Sequence, residues 1–220
     1  MSSDTVTPVR SVRDLGIYID SDLSMRTHVV RTAAGCFAVL RQLRSIRRCV
    51  SRQVIQSLVV SLVLTRVDYG CATLAGAPAC LLDKLQSVMN AAARLICSAR
   101  KYDHVTPLLR ELHWLRVPER ITFRLAVYAY RCQHGLAPSY LADDIRRVAD
   151  VESRRRLRSA STAQLLVPPT EHSTIGDRAF PVAAAHAWNS LTSHVTSSLS
   201  LPVFRSRLKA ELFARSFGAV

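Results

Sequence analysis

Apolar residues recur at helical spacing through most of the chain, and the stretch 81–140 organises the rest. Leu81, Leu85, Val88, Ala92 and Leu95 form one stripe, which Leu82, Met89 and Ile96 widen to a core-facing surface. Ile121, Leu125, Tyr128 and Cys132 form a second. The pattern predicts two long helices with a tight connection between them. Beside the second stripe run Arg116, Arg120, Arg124 and Arg131. Such a helix can bury one side and offer the guanidinium row to phosphates.

Upstream, residues 9–20 alternate imperfectly and end in Leu15-Gly16-Ile17-Tyr18-Ile19-Asp20. This reads as a short hairpin or a lone strand, with Gly16 marking a bulge or a close backbone approach. Asp22 or Ser24 caps a helix over residues 25–47. Its core stripe is Met25, Val29, Cys36, Leu40 and Leu43, with Ala33 and Phe37 alongside, and Gly35 implies a closely packed neighbour. Arg41, Arg44, Arg47 and Arg48 crowd its far end. The helix dipole would be satisfied by fewer cations, so phosphate contact is the expectation for this cluster. Ser51 caps a third helix, 52–68, whose residues Val54, Ile55, Leu58, Val59, Leu62 and Val63 leave little polar face. That pattern places it in the middle of a bundle.

After Pro138 a short helix covers 139–148, and 151–169 reads as a linker containing Arg154, Arg155 and Arg156. Basic runs of this kind are solvated loops, phosphate contacts or nuclear import signals, and all three readings stand. A last helix, 201–216, docks through Val203, Phe204, Leu208, Leu212 and Phe213 and turns Arg205, Arg207 and Lys209 outward. The fold class that follows is mostly α: a helical bundle with a short N-terminal β strand or hairpin and a smaller C-terminal helical part. The expected division is 1–22, a bundle over 23–150, a basic linker over 151–170 and a helical segment over 171–220.

Composition sharpens the functional side. Hydrophobic residues make up 49 % of the 220, ample for a core, and the net charge of +14 favours a polyanion. Cys36, Cys49, Cys71, Cys80, Cys97 and Cys132 include no Cys-x-x-Cys pair. They read as reduced, mostly buried thiols of a nuclear or cytoplasmic protein, with no metal site. The apolar run 57–65 is far shorter than the about 20 residues of a membrane span, so no membrane partner is expected. The histidines are dispersed, and no Gly-rich phosphate loop occurs. His104 is a candidate cap for a helix starting near Thr106, and His113 a packed, hydrogen-bonded histidine. Asp143 and Asp144 sit in a helical pattern and read as a solvated face, not as metal ligands. No catalytic set and no cofactor are expected in this chain. What remains is binding, and the candidates are Arg41, Arg44, Arg47, Arg48, Arg94, Arg100, Lys101, Arg116, Arg120, Arg124, Arg131, Arg154, Arg155 and Arg156.

A series of short islands runs through the same chain. It comprises Arg66-x-Asp68-Tyr69, Leu85-Gln86 with Asn90-Ala91-Ala92-Ala93-Arg94, His104-Val105-Thr106-Pro107 and Leu112-His113-Trp114-Leu115. It continues with His134-Gly135-Leu136-Ala137-Pro138, Gly176-x-Arg178-Ala179-Phe180 and Trp188-Asn189. In order and spacing the series resembles the C-terminal region of reverse transcriptases of non-LTR retrotransposons (LINE-type, jockey- or CR1-like). The resemblance implies a polymerase thumb plus a downstream helical domain without fingers and palm, with residues 1–22 a remnant of the last palm strand. It implies RNA or an RNA–DNA hybrid as partner, held by the backbone. Two alternatives stand beside it: a decayed mobile-element reading frame with no activity, and a stand-alone helical interaction module.

Overall fold

The computed structural model describes residues 8–150 and 163–218, and it is mostly α-helical with one two-stranded sheet. That sheet is a hairpin of β1 (Ser11–Asp14) and β2 (Ile17–Asp20), with Asp14 opposite Ile17. Leu15 and Gly16 connect them with φ of 45° and 84°. Two positive φ values are the geometry that matches strand twist in a two-residue turn. Gly16 is therefore a turn residue and not a bulge.

The helix that follows, α1 (Arg26–Ile46), is capped from further back than Asp22 or Ser24. Asp20 Oδ2 accepts the Thr27 N–H at 3.0 Å and the Ser24 hydroxyl at 3.2 Å. Asp22 instead accepts the Ser24 N–H, and Ser24 Oγ makes only a 3.4 Å contact to the Arg26 N–H. Leu23 and Met25, both at positive φ, curl the chain so that the end of β2 reaches the first turn.

Ser51 Oγ accepts the Val54 N–H and starts α2 (Arg52–Val59), which passes through a π-helical segment, Val60–Leu64, into α3 (Thr65–Asp68). Ile55, Val59, Val63 and Val67 are buried, every fourth residue. In a pure α-helix such a stripe would rotate by about 40° per step, and the wider π turn takes up the drift. The opposite side is wet: Val54, Val60 and Leu62 are exposed. The helix thus flanks the bundle and is not at its centre, which corrects the reading of 52–68 as surrounded on all sides.

A short 3-10 turn, Cys71–Leu74, leads to α4 (Ala79–Ile96). The connection to the second long helix is not tight, because α5 (Val105–Glu111) intervenes before α6 (Val117–Gln133). His104 occupies the α5 N-cap position without a side-chain cap bond, and exposed His113 lies against the Phe213 ring at 5.7 Å. Gln86 on α4 reaches across to α6: its Oε1 accepts the Val117 N–H at 2.9 Å while its Nε2 donates to Asn90 Oδ1. One core lies between α1, the α2–α3 helix, α4 and the Ile121/Leu125 side of α6.

A second core uses the other side of α6, Ala126, Ala129 and Tyr130. After α7 (Ser139–Ala142) and α8 (Ser173–Gly176) come α9 (Phe180–Asn189), α10 (Ser193–Thr196) and α11 (Leu201–Phe217). The rings of Tyr130 and Trp188 stack on Phe204 at 4.5 and 5.6 Å. Tyr130 donates its hydroxyl to the Ser198 carbonyl, and Trp188 Nε1 donates to the Ala163 carbonyl at 2.7 Å. Asn189 grips both backbone groups of Leu165 at 2.8 Å, and Leu165 bridges to Arg147 on its other side. The last part of the expected linker is therefore docked structure, and Leu165 is a core residue. On α11, Phe204, Leu208 and Leu212 are buried, Phe213 is half-buried, and Val203 is exposed against expectation.

Arg178 joins the two ends of the molecule. Its guanidinium donates to the Leu23 carbonyl at 2.6 Å and to the Thr73 carbonyl at 3.5 Å. Gly76, at φ 63°, makes room for it: a Cβ there would stand 2.8 Å from Arg178 Cγ. Among the cysteines, Cys36, Cys71 and Cys132 are buried and Cys97 half-buried, but Cys49 and Cys80 are exposed. Burial pushes the thiols of Cys36, Cys71 and Cys132 up, away from the reactive thiolate form. Among the described residues no helix is long and apolar enough to cross a membrane.

Candidate nucleic-acid interface

The far end of α1 packs beside the far end of α4, and a cleft of about 310 Å³ opens between them. Its floor is apolar, from Phe37, Leu40, Ala91, Leu95 and Ala99. Its walls are Arg41, Arg44, Arg47, Arg94 and Lys101, and no carboxylate lines it among the described residues. The nearby Asp103 is engaged elsewhere, accepting the Arg100 N–H at 2.6 Å. Arg94 is anchored by donating to the Asp103 carbonyl, and its Nε is buried with no partner among the described residues. Like charges so close repel, and a polyanion lying across them removes that repulsion.

The other sequence candidates divide. Arg48 and Arg100 are exposed next to the cleft without lining it. The row on α6 does not make one phosphate-facing surface. Arg116 reaches Thr106 Oγ1 at 3.5 Å and lies over the Phe217 ring. Arg120 is committed to a bidentate ion pair with Asp68, at 2.6 and 2.7 Å, and to the Leu115 carbonyl. Arg124 shares a cavity with that pair, together with Arg205 and Lys209 of α11. Arg131 donates to the Leu136 carbonyl at 3.1 Å and closes the end of its own helix. Arg154, Arg155 and Arg156 lie outside the described residues. Asp143 and Asp144 are exposed at the end of α7, and among the described residues no group of three or more His, Cys, Asp or Glu is placed to hold a metal ion.

A second cationic concavity brings together residues that the sequence did not single out as one group. Arg13 of β1, Arg31 of α1 and Arg66 of α3 line it, with His28 at its base. The three arginines are far apart in sequence and come together only in the fold, with Arg66 Nη1 passing 3.6 Å from where a Cβ at Gly35 would stand. His28 is 5 % exposed, and its Nδ1 has no partner among the described residues.

Burial holds the His28 imidazole below its ordinary 6.5, against the opposing pull of the Asp20 carboxylate. Burial by itself would raise Asp20, but hydrogen bonds from Thr27 and Ser24 bring it below 3.8. Both groups bind fewer protons in the folded state than in the unfolded chain. Stability is therefore fully present above pH 6.5, falls below it as the unfolded chain protonates His28 first, and falls again below 3.8 as Asp20 takes its turn. Melting temperature followed from about pH 7.5 to 5.5 should decline in the wild type and decline less in His28→Gln. Parallel curves for the two proteins would show that the imidazole is not held neutral.

Compared with protein-family models, with curated proteins and with solved structures, the chain finds no match.

Proposed function

We propose that this chain grips the backbone of RNA or of an RNA–DNA hybrid with the cleft between α1 and α4. We propose further that it is the C-terminal, thumb-bearing part of a non-LTR retrotransposon reverse transcriptase, acting in the nucleus or cytoplasm. The observation that carries the binding reading is the convergence of Arg41, Arg44, Arg47, Arg94 and Lys101 on one acid-free cleft. Contacts of guanidinium groups to phosphate position a strand without reading its sequence. The polymerase reading rests on the sequence islands, and in it the fingers and palm supply the chemistry.

The triple variant Arg41→Gln/Arg44→Gln/Arg47→Gln tests the binding. Each lost phosphate contact should reduce the slope of log K against log salt by about 0.7–0.9. The affinity for hybrids of unrelated sequence should fall by a similar factor. Binding that is absent or salt-insensitive in the wild type, or a wild-type slope in the triple variant, would sink the proposal.

A second reading, the helical interaction module, is favoured by one other observation. An apolar cavity of about 960 Å³ lies between the hairpin, α6, α7 and α9, with Leu15, Tyr140 and Ile175 exposed on its walls. Under the polymerase reading the rest of the enzyme covers it, whereas a self-contained module associates through it. Light scattering on the chain separates the two, with a concentration-dependent oligomer favouring the module.

A further inference from the structure

We propose that the concavity lined by Arg13, Arg31 and Arg66 is a binding site for a phosphate monoester, carried on a nucleotide or on the end of a nucleic-acid strand. This goes beyond backbone binding in the α1–α4 cleft and uses none of its residues. The three guanidinium groups come from β1, α1 and α3 and face a shared space of about 420 Å³, with no carboxylate on its walls among the described residues. Tyr18 holds two of them in place. The Arg31 guanidinium lies 4.5 Å over its ring and donates to its hydroxyl at 3.3 Å, and Arg13 lies 5.6 Å from the same ring. Arg66 passes beside α1 at Gly35, where a Cβ would make only an ordinary 3.6 Å contact with its Nη1.

Two further features point to a ligand. His28 is 5 % exposed and lines the concavity, with Nδ1 lacking a partner among the described residues. A buried polar atom without a partner is costly, and a small turn of the ring that opens Nδ1 to the concavity would let a phosphate oxygen accept from it in the N–H tautomer. Tyr69 stands on the wall, 54 % exposed, its hydroxyl tied to the Leu15 carbonyl. A fixed, half-exposed ring beside a phosphate site suits a base. Charge favours a monoester: its phosphate carries close to two negative charges at neutral pH, and planar guanidinium forks match its oxygens.

Titration calorimetry at low salt tests this with AMP, adenosine, inorganic phosphate and O-phosphoserine, on wild type, Arg66→Gln and Arg44→Gln. Arg66 is exposed and makes no ion pair among the described residues, so its variant should melt as the wild type does. AMP should bind the wild type at least about tenfold more tightly than adenosine, and Arg66→Gln should lose about that factor. Arg44→Gln should keep it. Inorganic phosphate should displace AMP. AMP binding no tighter than adenosine, an unchanged Arg66→Gln, loss in Arg44→Gln instead, or phosphoserine binding as well as AMP would each overturn the assignment.

Discussion

Truncating Trp188 to alanine should lower the free energy of unfolding by about 3–5 kcal/mol, the range for deleting a fully buried large aromatic side chain. Trp188 is 2 % exposed, and its ring stacks on Phe204. Its indole N–H also holds the Ala163 carbonyl, the point where the chain re-enters the fold ahead of Leu165. Alanine removes the ring and that hydrogen bond together. Phenylalanine restores most of the ring and should cost only about 1–2 kcal/mol more than the wild type bears, the cost of the unmade hydrogen bond. Urea denaturation measures both. A domain of ordinary stability has about 5–15 kcal/mol in hand, so the alanine variant should sit near the edge of folding. A loss under about 1 kcal/mol would mean the second core is not packed as described.

Replacing Arg120 with methionine should cost about 2 kcal/mol. Breaking a fully buried ion pair costs about 3–5 kcal/mol, and this one is partly screened, its side chains being 16 % and 29 % exposed. Asp68→Asn should cost a similar amount, and the double variant less than the sum, because the two losses are one interaction. Additive effects in the cycle would show that the pair is decorative. The same Arg120 variant should leave the salt dependence of nucleic-acid binding unchanged. A lost phosphate contact would instead flatten that dependence, so the two assays separate a joint in the fold from a hand on the ligand.

Arg120 also shows where reading the chain ran out. Its place in a helical row of arginines was visible, but its partner lies on α3, brought there only by the tertiary fold. The long helices, the paired stripes of α4 and α6, the Ser51 cap and the hairpin were legible because each depends on residues close in sequence, whereas the helix expected over 139–148 is only the four-residue α7. The exposed side of α2 was not. Apolar periodicity reports what a helix could bury, and only the placement of its neighbours decides what it does bury. The cap on α1 was missed because Asp20 reaches it through a loop with two positive φ values. The five cations of the cleft stand out in the sequence as basic positions, but their convergence follows from α1 packing along α4, which sequence spacing does not encode.

Several of the short islands turn out to hold joints. Gln86 steadies the start of α6, Asp68 takes Arg120, and Tyr69 ties the hairpin. Arg178 spans Leu23 and Thr73, and Trp188-Asn189 fastens the returning segment at Ala163 and Leu165. Side chains that bind backbone groups far along the chain allow few substitutes, since another residue type would leave those groups unpaired. In this molecule these islands account for the architecture, while the cationic surfaces are built from positions mostly outside them.

With α6 walled on one side by Ile121 and Leu125 and on the other by Ala126, Ala129 and Tyr130, no cut through the chain yields two sound halves. A protein ended after Asp150 would carry a helix with one naked flank, and the remainder would have nothing to close around. The two parts share α6 and should melt as a single cooperative unit, so a piece made for crystallography or for a binding screen must keep the downstream helices even when only the upstream surface is of interest.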